Sequence, residues 1–147
     1  MKATQVKVFK TDECNKFLDE APDKDFLVHK IVMILGLCGT MRIHEIVHLD
    51  ISHIEQGSLL IIQLPKSINK NKKKRSFVID DADYDTTVMK HRSLQLEGFA
   101  GRFFANYVKK IEKCTKQFMG RNKLAKMPVE TAEFLNLEDD AKLYTGK

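Results

Sequence analysis

Two short apolar runs, Leu59-Leu60-Ile61-Ile62-Gln63-Leu64 and Ser76-Phe77-Val78-Ile79, bracket a segment that carries Lys66, Lys70, Lys72, Lys73, Lys74 and Arg75 within ten residues. Aliphatic and β-branched runs of this length read as strands. Pro65 ends the first of them, and six positive charges in ten residues must stay in water or meet an anion. The pattern predicts a hairpin over residues 59–79 with a long basic tip. Connections of that length inside a compact domain are usually functional or mobile. Their lysine density points to nucleic-acid contact or a nuclear-import signal.

Charge is segregated along the rest of the chain as well. The 147 residues carry a formal net charge of only +5. Yet residues 102–127 alone hold eight Lys or Arg against one Glu, whereas 31–65, 76–101 and 128–147 are each net negative and 1–30 balance. Two basic blocks separated by acidic sequence can fold onto one face, which is the footprint of a polyanion binder. Taken alone, the 102–127 block reads as a solvated face serving solubility. The length suits a single domain with its own core. Cys14, Cys38 and Cys114 are odd in number and show no CxxC spacing, so buried free thiols are expected rather than a disulfide scaffold or a cysteine zinc knuckle. The longest apolar stretch, Ile31 to Cys38, is broken by Gly36 and falls short of the roughly 18 residues that span a bilayer. Met1 to Lys7 has no apolar core like that of a signal peptide. These features predict a soluble, non-secreted protein without a membrane partner, nuclear by its Lys70–Arg75 run and otherwise cytoplasmic.

Periodicity places the remaining elements. Phe26, Leu27, Ile31, Val32, Ile34, Leu35 and Leu37 recur at three- and four-residue spacing, which predicts a largely buried helix over about 24–37, capped by Asp23 or Asp25. Gly36 and Gly39 permit a tight bend. A second helix is expected to start at Thr40 as N-cap and run through Leu49, with Ile43, Ile46, Val47 and Leu49 toward the core. Residues 50–58 read as a connection ending in a turn at Gln56-Gly57-Ser58, and 80–96 as a helix after an acidic start. Phe99 to Phe118 fits either a helical stripe or two short strands around a charged turn. Pro128 opens a last helix through Leu135, followed by a turn-like tail at 143–147.

His44-Glu45-Ile46-Val47-His48 is a literal HExxH, the helical spacing in which two histidines bind zinc and the glutamate activates water. Asp50 stands two residues beyond His48, and no further ligand follows in the metzincin arrangement. A zinc hydrolase using His44 and His48 is therefore the alternative reading, beside polar-face histidines on a short helix; no other metal site and no cofactor are indicated.

The stretch Gly36-Leu37-Cys38-Gly39-Thr40-Met41-Arg42-Ile43-His44-Glu45-Ile46-Val47-His48-Leu49-Asp50-Ile51 resembles the first motif of the tyrosine recombinase (phage integrase) catalytic domain, G-x-R-x-x-E-x-x-x-L-x-x-x-D-I, with small spacing differences. Gly39, Arg42, Glu45, Leu49 or Val47, and Asp50-Ile51 or Ile54 take those parts. The order continues with a strand, a lysine-bearing tip and a return strand. The segments 132–137 and 143–146 are similar to the divergent eukaryotic branch of Crypton-type mobile elements and genes derived from them. The resemblance implies an α+β fold, a mainly helical tyrosine-recombinase-like domain with a small antiparallel β-hairpin sheet, over a single domain of residues 1–147.

The resemblance also implies roles. Arg42 would grip the scissile phosphate through its planar guanidinium, with Glu45 in support, orienting Arg42 or holding the helix. A tip lysine, Lys70 first and Lys66 second, would be the general acid toward the departing 5′ oxygen. Lys66, Lys70, Lys72, Lys73, Lys74 and Arg75 would neutralise backbone phosphates of double-stranded DNA, with self-association on the DNA left open. The family's second motif, His-x-x-Arg, and its nucleophilic tyrosine would fall beyond Lys147, and Tyr84, Tyr107 and Tyr144 precede that place. The 147 residues are thus expected to form a C-terminally incomplete domain that binds DNA without cleaving it. The remaining alternative is a domesticated interaction domain without DNA affinity.

Overall fold

The structure is a computed structural model that describes residues 9–68, 73–96 and 98–137. Lys70 and Lys72 of the basic tip, and the 143–147 turn with Tyr144, lie outside the described residues.

The organising element is helix α2 (Asp23–Gly39), preceded by α1 (Thr11–Glu20). Leu27, Val28, Ile31, Val32, Ile34 and Leu35 are all buried, and a helix that is apolar all round must be enclosed by other elements. Enclosure comes from α1, from α4 (Ala82–Leu94), from α6 (Met127–Phe134) and from strand β3 (Arg75–Ile79). Lys30, also buried on α2, turns its ammonium to Asp23 at 2.7 Å, and Lys90 of α4 reaches the same carboxylate at 2.8 Å. Burial pushes the Asp23 carboxyl up, but the two lysines outweigh it and hold it below its ordinary value.

Asp23 and Asp25 sit in the first turn of α2, while the N-cap position belongs to Pro22. The helix runs past Gly36 to Gly39. Thr40 then adopts the left-handed conformation, φ 50°, and donates its N–H to the Gly36 carbonyl. It closes the first helix instead of opening the second. Helix α3 begins only at Ile43, after Arg42, and ends at His48. Ile46, Val47 and Leu49 are buried as the apolar spacing requires, Ile43 is only partly buried against the same core, and Met41 ahead of the helix is buried as well.

Residues 50–58 contain a strand where a plain connection was expected. After a short 3-10 turn, β1 (Ile54–Gln56) pairs antiparallel with β2 (Leu60–Leu64), and β2 pairs with β3 in the register Leu60–Ile79 and Leu64–Arg75. The predicted hairpin is thus two strands of a three-stranded sheet in the order β1-β2-β3. Leu60, Ile62, Leu64 and Ile79 face the core.

The 99–118 segment resolves as two strands, β4 (Ala105–Val108) and β5 (Lys113–Phe118), joined antiparallel. Positive φ at Gly98, Gly101 and Glu112 bends the chain where a helix would have to continue. Phe103 and Phe104 are buried edge to face, ring centroids 5.0 Å apart. Tyr107 and Cys114 pair on the inner face of the ribbon. A short α5 (Arg121–Ala125) precedes α6, which has Pro128 in its first turn. Cys14 and Cys114 are buried free thiols, and burial pushes both up to about 11. No described helix is long and apolar enough to cross a membrane.

Candidate nucleic-acid interface

The end of α2, the start of α3 and the first residue of β3 meet at one point, and two arginines mark it. Strand alternation places Arg75, Phe77 and Ile79 on one face of β3, the face that lies against α2. The Phe77 ring covers Gly39 so closely that a Cβ there would stand 2.2 Å from two ring carbons. Next to it, the Arg75 guanidinium donates to the Gly39 carbonyl and to Glu45 Oε1, the latter at 2.8 Å.

Glu45 is 5 % exposed and accepts a second bond, from the Arg42 backbone N–H at 3.0 Å. It thereby satisfies one of the free donors at the N-terminus of α3 and places negative charge at the positive end of the helix. Its carboxylate is bonded to the Arg75 guanidinium. The Arg42 guanidinium is exposed and makes no hydrogen bond or ion pair with the described residues.

Lys66 and Lys74 are exposed beside the hairpin and Lys73 is exposed at its described edge. An open polar recess of about 460 Å³ lies where the tip joins the sheet, lined among others by Ser52, His53, Lys74, Arg75 and Ser76. His53 accepts the Asp50 N–H at Nδ1, 3.0 Å away, so its other ring nitrogen carries the proton and is a donor. Lys74, two hydroxyls and a ring N–H can donate into this recess, which the Glu55 carboxylate also lines and where the Arg75 guanidinium is already held by Gly39 and Glu45. Sequence reasoning gave Arg75 only a phosphate role. Its half-buried strut to Glu45 is signalled by parity alone, since it shares the inward face with Phe77 and Ile79.

The HExxH residues do not assemble into a hydrolytic centre. The rings of His44 and His48 lie side by side, tilted 48° with centroids 4.7 Å apart, and His48 Nδ1–H donates to the His44 carbonyl at 2.9 Å. Glu45, which zinc chemistry needs as the base, is bonded to Arg75. Among the described residues no group of three His, Cys, Asp or Glu gathers to hold a metal.

Neither a protein-family profile nor a curated protein matches the sequence. Solved structures do match the backbone. The XerA recombinase superposes with a TM-score of 0.64 at 12% identity, over 99% of this chain and 50% of that one. The XerH site-specific recombinase bound to palindromic difH substrate, in its post-cleavage complex, gives 0.63 at 16% identity over 98% and 42%. Its pre-cleavage complex with difH gives 0.60 at 13% over 99% and 44%. The fold is that of the tyrosine recombinases. The expected α+β class, helical with a small antiparallel sheet, is what the structure shows. The chain spans half or less of the length of these recombinases, so the tyrosine-recombinase fold is shared over only part of each of them.

Proposed function

We propose that this chain is a DNA-binding module of the tyrosine-recombinase type, gripping the duplex backbone with Arg42 and the basic hairpin. The observation that carries the reading is the exposed guanidinium of Arg42. It has no hydrogen-bond or ion-pair partner among the described residues and lies one helix start away from a second arginine that Glu45 and Gly39 hold in place. An exposed planar fork whose backbone shares the Glu45 carboxylate with Arg75 is suited to donate to phosphate oxygens. The DNA substrates of XerH are in keeping with it.

Within this reading Lys66, Lys73, Lys74 and Arg75 neutralise backbone phosphates together with Lys70 and Lys72, and Lys70 is the first candidate for general acid, Lys66 the second. Binding without cleavage is part of the proposal for these 147 residues. Tyr84 has its phenol pushed up by burial and by Asp81, in acidic surroundings that repel a phosphate. The Crypton-like branch, a nuclear location and self-association on DNA belong to the same proposal.

Fluorescence anisotropy of a labelled duplex over a salt series tests it. Affinity is expected to fall steeply with salt, by about one unit of log–log slope per phosphate neutralised, and Arg42→Ala is expected to weaken binding about tenfold or more at low salt. A chain that ignores duplex at low salt, or binds it equally well after Arg42→Ala, would overturn the reading.

A further inference from the structure

We propose that the β4–β5 ribbon is a second DNA-contacting element, its lysines on phosphates and its apolar tip in a groove of the duplex. The inference rests on the DNA-binding reading above, but on different residues. In the sequence, this block looks like a solvated face. The structure arranges it in a way that solubility does not require.

Ile111, at the turn of the ribbon, is 61 % exposed, the most exposed large apolar side chain among the described residues, and Phe118 at the other end of β5 is 50 % exposed. Aliphatic surface set among lysines gains nothing in water, and exposed apolar groups of this kind mark contact sites. Lys110 and Lys113 flank Ile111 and Glu112 at the turn, Lys116 is exposed farther along β5, and none of the three lysines makes an ion pair with the described residues. Alternation puts Val108 and Lys113, a cross-strand pair, on the outer face, and Tyr107 and Cys114 inside. Beside the turn the outer face is therefore cationic with an apolar component. A partner of matching chemistry must offer anions flanking an apolar or stackable surface, and a nucleic-acid groove does so. The major groove of a duplex, about 12 Å wide, admits a two-stranded ribbon.

The ribbon is also held in place, which lowers the ordering cost of binding. Its base is pinned by Phe103 N–H to the Leu49 carbonyl and Met119 N–H to the Phe104 carbonyl, at 2.8 and 2.7 Å. Its tip is tied by Lys109 to Asp25 at 2.5 Å. Asp25 lies at one end of α2 and Gly39, which takes the Arg75 bond, at the other. The helix between them measures roughly 20 Å, less than the approximately 34 Å of one duplex turn. One short duplex is long enough to meet both basic elements.

The test uses the full chain, the same labelled duplex and three variants checked by thermal melting: Lys110→Ala/Lys113→Ala/Lys116→Ala, Ile111→Ser and Arg42→Ala. The triple variant is expected to lose about tenfold or more in affinity at low salt and to flatten the salt slope by up to about three units. Ile111→Ser, which removes no charge, is expected to weaken binding severalfold at unchanged slope. If the triple variant binds like the parent while Arg42→Ala does not, the ribbon has no DNA role and the DNA-binding reading survives. If Ile111→Ser binds like the parent, the groove contact is wrong. Loss of binding in the triple variant but not in Arg42→Ala would keep the ribbon and remove Arg42 from the interface. A parent chain that binds no duplex would remove both.

Discussion

At Gly39 the absence of a side chain is what lets β3 lie against the end of α2. A methyl group placed there would overlap the Phe77 ring, and Phe77 is wedged between the core and the sheet. The ring cannot swing out without uncovering the cluster beneath it. Gly39→Ala is therefore expected to cost roughly 1–3 kcal/mol through overpacking. Denaturant unfolding of Gly39→Ala, Phe77→Leu and the double variant measures it, because a smaller, ring-free side chain should make the double loss less than the sum of the singles. Additive losses would place the strain elsewhere. The same substitution shifts the carbonyl that Arg75 uses, so a residue with no polar side chain controls the aim of one that has one.

At the scale of elements, α3 is too short to hold itself. Six residues lie far below the length at which an isolated helix persists in water, and its start is fixed by Glu45. Glu45→Ala would leave the Arg42 N–H and the half-buried Arg75 guanidinium without their acceptor. The expected loss is about 1–3 kcal/mol, discounted by the water that reaches Arg75. Urea unfolding of Glu45→Ala beside Arg75→Ala and the double variant checks it, since a coupled pair gives a double loss smaller than the sum. Much of this architecture is legible in the sequence. The hairpin strands follow from their apolar runs, the buried helix from its spacing, and Pro128 from its place at a helix start. What was not legible has local causes. Thr40 reads as a helix opener because threonine is a good N-cap, but its left-handed backbone closes α2 instead. β1 has only three residues, too few for a pattern. The 99–118 apolar residues fit a helical stripe, and what decides for strands includes a left-handed Glu112 that no residue preference announces. α1 exposes all but a narrow stripe around Cys14 and Phe17, and its signal merges with that of α2. At the candidate site, Arg42 and the basic tip are visible as charges, whereas the Arg75–Glu45 strut needs the packing of three elements to exist.

The whole molecule is built around α2, and its stability should depend on acid for a reason that also sits in that packing. His91 on α4 is fully buried between the Phe103 and Phe104 rings and the base of the ribbon, and burial lowers it from 6.5 to about 4. His29 on α2 is lowered as well: burial outweighs the Glu130 carboxylate, which accepts its Nε2–H at 2.7 Å. A histidine held neutral in the folded state costs nothing above its unfolded value, because both states are then unprotonated. As pH falls below 6.5 the unfolded chain takes up a proton that the folded chain refuses, and stability declines until the folded value near 4 is reached. For His91 the full drop amounts to about 3 kcal/mol. Asp23, held below its ordinary value by Lys30 and Lys90 against its own burial, loses its contribution only at lower pH, so the two causes separate along the pH axis. Urea unfolding from pH 7.5 down to 4.5 is expected to show a continuous loss of stability. His91→Gln, neutral throughout, should be less stable at pH 7.5 yet flatter across the window, with His29 supplying what slope remains. An unchanged slope in His91→Gln would mean that the buried imidazole does not set the acid response. Since α4 and the ribbon close around this ring, the same acid range should loosen the ribbon first, and hydrogen exchange at β4 and β5 between pH 6.5 and 5 should rise before exchange at the centre of α2.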